Sequence, residues 1–110
     1  ATVLGTGVRT SPRWAALING TAMHADNFDD TNPQASAQRN GGIHATVPVL
    51  AATLAAAEAL ALSGREVLVA FHAGIEVSCK LSHAMAARHY ADGFHTTGTL
   101  NVFGAAAAVA

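Results

Sequence analysis

The chain has 110 residues, 51% apolar but only 12% charged and 5% aromatic, which bounds it to one domain at most. Six Lys and Arg against seven Asp and Glu give a net charge of −1, with no basic stripe to meet nucleic acid. The single cysteine, Cys79, excludes an internal disulfide and a cysteine-ligated iron–sulfur cluster, and it fits a reducing compartment. Much of the apolar content is alanine, which packs helices closely but buries little area per residue. The few β-branched runs favour helix over sheet.

In chain order, residues 1–10 are β-prone and broken by glycine, and are expected to be extended. Ser11-Pro12 starts a helix, with serine at the N-cap and proline where its missing N–H costs nothing. Trp14, Leu17, Ile18 and Thr21-Ala22 follow at helical spacing, so the first helix reaches about His24 or Asp26. Gly20 weakens it or lets a neighbour approach. Asn27 to Ile43 reads as a long loop, with Asn32-Pro33 and Asn40-Gly41-Gly42 as turn signals. A second helix begins near Thr46, tolerates Pro48 in its first turn and runs to Leu62, where Ser63-Gly64 ends it. Its stretch from Val47 is too short, and too marked by Pro48, Thr53 and Glu58, to span a membrane. Ser63 and Glu66 form an S-x-x-E capping box for a third helix that reaches about Arg88, with Gly74 and several alanines allowing close packing. His89 to Thr97 is a second polar loop, and a fourth helix starts near Thr99. The sum is an all-α chain: part of a helical bundle whose polar loops gather at one place.

Those loops concentrate the ionisable groups in HADNFDDT (His24 to Thr31) and GFHTTGT (Gly93 to Thr99). Histidine titrates near neutral pH and serves as general acid or base. His44 and His95 each lie just before a helix start, where free N–H groups and the dipole favour a carboxylate. The pattern suggests a pocket for an acidic substrate with proton transfer at hand. Plainer readings stand beside it: His24 as a packed helical residue, Asp29 and Asp30 as turn or capping residues, Thr97 and Thr99 as N-caps. His72 and His83 read as interior or surface residues, Cys79 as buried and inert, Lys80 and Arg88 as helix-surface charges, and Arg39 as a solvated cation that could also meet a substrate carboxylate. The Asp29-Asp30 pair could hold a hard cation. However, no H-x-x-x-H or H-E-x-x-H pattern occurs, and no metal ligand is assigned.

At these motifs the chain resembles the MmgE/PrpD family, which includes 2-methylcitrate dehydratase, cis-aconitate decarboxylase and iminodisuccinate epimerase. The matching stretches are SPRWAALINGTAMHADNFDDT, HATVPVLAATLAAAEAL, SGREVLVAFHAGIEV and HYADGFHTTGTLNVFGAAAAVA. The resemblance implies an internal piece of a helical domain (residues 1–110, with the N- and C-terminal parts absent), paired in the family with an α/β lid domain that brings basic residues. It implies a cytoplasmic homodimer that needs no metal or other cofactor, acting on a small di- or tricarboxylate, with no membrane or nucleic-acid partner. The family's site residues fall on His44 and His95 as the catalytic pair, and on Thr31, Asn27 and Asp26 as substrate contacts. Where the family usually has aspartate before the phenylalanine, this chain has Asn27, whose amide cannot take up a proton. Either Asp26 takes over or the chemistry differs. The proline common after each histidine is replaced by Ala45 and Thr96.

The expected reaction is dehydration of a 2-methylcitrate-like hydroxy acid. Decarboxylation or epimerisation within the family, a metal-dependent hydrolase using the Asp-rich loop, and a catalytically inactive assembly module are the alternatives. The 110 residues alone are expected to be inactive and poorly folded, because helix faces would lack their cover.

Overall fold

A computed structural model describes residues 1–32 and 42–110. Arg39, Pro33 and the Asn40-Gly41 turn lie outside the described residues. Among the described residues, four helices follow in order: α1 (Pro12–His24), α2 (Thr46–Leu60), α3 (Gly64–Ala91) and α4 (Thr96–Val109). Among the described residues there is no sheet, only isolated antiparallel bridges between Thr2 and Arg9 and between Asn32 and Ile43. None of these helices is long and apolar enough to cross a membrane.

The first ten residues form a tight extended turn, closed by Val3 N–H to Val8 O at 2.8 Å, with Gly5 and Gly7 at positive φ. Glu58 on α2 clasps it, accepting from Thr2 N and Thr2 Oγ1 and pairing with Arg9. Asn19 of α1, buried, accepts from Leu4 N–H and donates to the Thr2 carbonyl.

α2 is the centre. It packs on α1, α3 and α4, and α1 packs on α2 alone among the helices. Its Val47, Val49, Ala51, Thr53, Ala55 and Ala57 are buried, with Thr53 returning its hydroxyl proton to the Val49 carbonyl. α2 stops two residues before the expected Leu62. Ala61 takes the left-handed conformation (φ 54), and its N–H and that of Leu62 turn back to Glu58 O and Ala57 O, a Schellman closure with alanine in the glycine place. Ser63 and Glu66 make the expected capping box. α3 then runs three residues past Arg88, because nothing in Arg88–Ala91 disfavours helix until Gly93 turns at φ 94.

α3 and α4 cross through glycine. A Cβ on Gly74 would lie 2.6 Å from the Gly104 carbonyl and from Val49 Cγ1, and one on Gly104 would lie 2.6 Å from the Gly74 carbonyl. The two backbones therefore touch, as Gly74 and the alanines of α3 suggested. Beside this crossing sits a core of Ile43, Ala45 and Leu100, backed by Ile75 and the half-buried Cys79. Trp14, Leu17 and Ile18 of α1, Leu68 and Val69 of α3, and Val102 and Phe103 of α4 are exposed.

Candidate active site

α1 ends at His24, and the chain turns at once. Ala25 N–H reaches Ala22 O, and Asn27 N–H reaches His24 O at 3.0 Å. Asn27 occupies the left-handed region (φ 51), which asparagine and aspartate enter more readily than other side-chain-bearing residues. This turn sends Phe28 into solvent (96% exposed) and swings Asp29 back under the end of α1. The chain next pairs Asn32 with Ile43, N–H to carbonyl in both directions at 2.9 and 3.3 Å. Gly42 is needed there, since a Cβ would lie 2.6 Å from Thr31 Cγ2. The pairing delivers His44 beside Asp29.

The resulting cluster is His24, Asp29 and His44. Asp29 Oδ1 is 2.8 Å from His24 Nδ1, and Asp29 Oδ2 is 3.3 Å from His44 Nδ1. Thr31 Oγ1 stands 3.5 Å from the same His44 nitrogen, and the two imidazoles meet edge to face at 5.0 Å. The Asp29 side chain is only 10% exposed. Burial pushes its carboxyl up, but the His24 hydrogen bond, its own backbone N–H and the charges of His24 and His44 together hold it below the usual carboxylate range. Oδ2 is buried and makes no hydrogen bond among the described residues.

α4 fastens this cluster from the other side. It begins at Thr96, three residues earlier than expected, because His95 itself is the N-cap: its Nδ1 accepts from Gly98 N–H at 3.3 Å. Thr97 and Thr99 are therefore not caps. Thr97 Oγ1 accepts from His44 N–H at 3.2 Å, Thr96 Oγ1 donates to Gly42 O, and Thr99 Oγ1 lies 2.7 Å from His89 Nε2. Buried Asn101 donates to the His44 carbonyl at 2.7 Å. The backbone N–H and C=O of His44 are thus both tied to the first turns of α4.

Of the residues expected from sequence, His44 and Thr31 are brought together. His95 stands at the head of the helix that holds His44, with its ring exposed. Asp26 and Asn27 are exposed, and their side chains make no hydrogen bond among the described residues. Sequence reasoning treated His24 as packing and left Asp29 open to a turn role. It missed Asn101, although an asparagine between Leu100 and Val102 in an alanine-rich helix is a signal in itself. Cys79, expected to be buried, is half-buried, and Asn32 Nδ2 donates to its sulfur at 2.8 Å.

His24, Asp29 and His44 also have the donor set of a two-histidine, one-carboxylate metal centre, with ligand atoms within 4.8 Å of one another. A groove of about 520 Å³ opens beside His24, lined by Leu17, Gly20, Thr21, Val47 and Pro48. Its walls are mostly hydrocarbon and offer a carboxylate little counter-charge.

A helical frame whose interhelix loops set histidine against carboxylate and against helix N-termini brings together, on an all-α scaffold, groups that acid/base chemistry can use. Residues 1–110 match the MmgE/PrpD N-terminal domain throughout, and the chain belongs to the MmgE/PrpD family. It is similar to cis-aconitate decarboxylase of Homo sapiens, 38% identical over 106 residues (92% of this chain, 21% of that protein). It is also similar to cis-aconitate decarboxylase of Mus musculus, 36% identical over 105 residues (91% of this chain, 20% of that protein). The chain spans about a fifth of the length of these curated relatives. No solved structure matches it at a significant level.

Proposed function

We propose that this chain carries one wall of the active site of a lyase acting on a small tricarboxylate by metal-independent acid/base chemistry, in a cytoplasmic homodimer. His44 is the proton acceptor and His95 the proton donor. The observation that carries this division is the opposite use of the two Nδ1 atoms. His44 Nδ1 faces a carboxylate, which favours a proton there and leaves a lone pair on Nε2. His95 Nδ1 accepts a backbone N–H, so its proton sits on Nε2. Thr31, Asn27 and Asp26 orient the substrate, and the N-terminus of α4 supplies partial positive charge for one of its carboxylates.

Two reactions fit this pair. Dehydration of a 2-methylcitrate-like hydroxy acid needs a base for the proton beside a carboxylate and an acid for the departing hydroxide. Decarboxylation of cis-aconitate, favoured by the similarity to the two decarboxylases, needs carboxylate-binding groups and an acid to protonate the carbon left by CO2. The test is His95→Ala in the full-length protein, assayed on both substrates. Loss of turnover on one of them supports the reading and names the reaction, whereas unchanged turnover on the substrate that the native protein converts removes His95 from the mechanism.

A further inference from the structure

We propose that Asp29 is a positioning residue that determines which nitrogen of His44 carries the proton, and that His24 in turn holds Asp29. The inference rests on His44 being the proton acceptor.

The carboxylate lies between two imidazoles, one oxygen toward each Nδ1, at 2.8 Å from His24 and 3.3 Å from His44. The oxygen toward His44 is buried and without a hydrogen bond among the described residues. A buried carboxylate oxygen in that state is stabilised by an N–H donor, and His44 Nδ1, in ion-pair contact with it at 3.3 Å and lying 3.5 Å from Thr31 Oγ1, can supply one by a small turn of its ring. An ionised carboxylate accepts and cannot donate, so it selects the Nδ1–H form of His44 and frees Nε2 as the lone-pair nitrogen. His24 fixes the other oxygen from the end of α1, and the edge-to-face contact of the rings limits rotation of both. The backbone of His44 is held independently by Thr97 and Asn101, so Asp29 is left to set the ring rather than the chain.

A resident divalent ion is the competing use of these three side chains. Two ligands on a tetrahedral ion with bonds of about 2.0–2.1 Å lie about 3.3 Å apart. The 2.8 Å between His24 Nδ1 and Asp29 Oδ1 is that of a charge-assisted hydrogen bond, and it is also the spacing of adjacent ligands on an octahedral ion, so the EDTA arm of the experiment separates the two uses.

The experiment compares Asp29→Asn, His44→Ala and the double variant in the full-length protein, on the substrate that the native protein turns over. An amide can donate to His44 Nδ1 and so permits the wrong tautomer. We expect kcat to fall by about 10²–10⁴ with KM changed less than about threefold, as for a lost orienting carboxylate. In the His44→Ala background, Asp29→Asn should cost nothing further. Turnover near native in Asp29→Asn, with His44→Ala inactive, overturns the inference and leaves the role of His44 standing. Full turnover in His44→Ala overturns both. Activity lost on dialysis against EDTA and restored by zinc overturns the inference in favour of a metal centre. If Asp29→Asn does not fold, His24→Asn carries the test: it keeps the carboxylate and removes its anchor, so kcat must drop at constant KM, and an unchanged kcat overturns the inference.

Discussion

Adding one methyl group at Gly104 should loosen the helix crossing on which the site hangs. Its Cβ would stand 2.6 Å from the Gly74 carbonyl oxygen and 3.1 Å from Ser78 Cβ, and would collide with Ser78 Oγ. The hydroxyl can rotate away, but the carbonyl belongs to the backbone of α3 and cannot. Ordinary C–H···O contacts begin at about 3.3 Å, so α4 must retreat from α3 by about 0.7 Å. Overpacking of this kind costs about 1–3 kcal/mol, and the backbone obstacle puts this case at the upper end. Replacing glycine by alanine inside a helix returns up to about 1 kcal/mol. The net expectation for Gly104→Ala is a loss of about 2 kcal/mol, roughly a thirty-fold fall in the folding constant. Urea unfolding of the full-length protein measures it. Gly20→Ala is the internal control, because its Cβ meets only Ala51 Cβ at 3.4 Å, and it should be neutral or stabilising by up to about 1 kcal/mol. The same retreat should lower turnover, since Thr97 and Asn101 hold His44 from α4. Gly104→Ala as stable and as active as the native protein would refute the reasoning.

Ala61→Gly should stabilise the full-length protein by about 1 kcal/mol in the same urea titration, because Ala61 bears the left-handed penalty that glycine avoids. The lowered Asp29 carboxyl makes its contribution to folding complete above the unfolded value of about 3.9, and lost as pH falls through the lower folded value. The stability gap between native protein and Asp29→Asn should therefore narrow as pH falls from about 5 through the lowered folded value. A gap that stays constant over that range would mean the carboxylate is not stabilised by folding.

The helices were legible because their signals are local. Ser11-Pro12, the Ser63–Glu66 box and the spacing of Trp14, Leu17 and Ile18 each act within a turn or two. The ends of α2 and the start of α4 were less legible for a physical reason. Ala61 reverses the chain without glycine, and His95 caps with a ring nitrogen, and neither residue type announces that role. At the site, His44 and Thr31 could be named from motif resemblance. The part played by Asp29 could not, because it depends on a left-handed turn at Asn27 and on the pairing of Asn32 with Ile43, which is contact across the loop rather than along it. Asn27 also takes on a second meaning. Its conformation suits both asparagine and aspartate, so the departure from the family's aspartate leaves the turn intact and changes only what the exposed side chain can exchange with solvent or substrate.

The burial of α2 on opposite faces has a consequence for how the site is kept in alignment. Buried positions recurring at every second residue from Val47 to Ala57 fall on two opposite faces of the helix, and Glu58 is its only charged side chain. Such a helix has no single greasy stripe, so hydrophobicity alone does not dictate its angular setting. A slip of one residue would turn it by about 100° and slide it by about 1.5 Å. What indexes it is at the ends: the clasp of Thr2 and Arg9 on Glu58, and the grip of Asn32 and Asn101 on residues 43 and 44. α2 behaves as a keyed shaft, and His44 rides on the key.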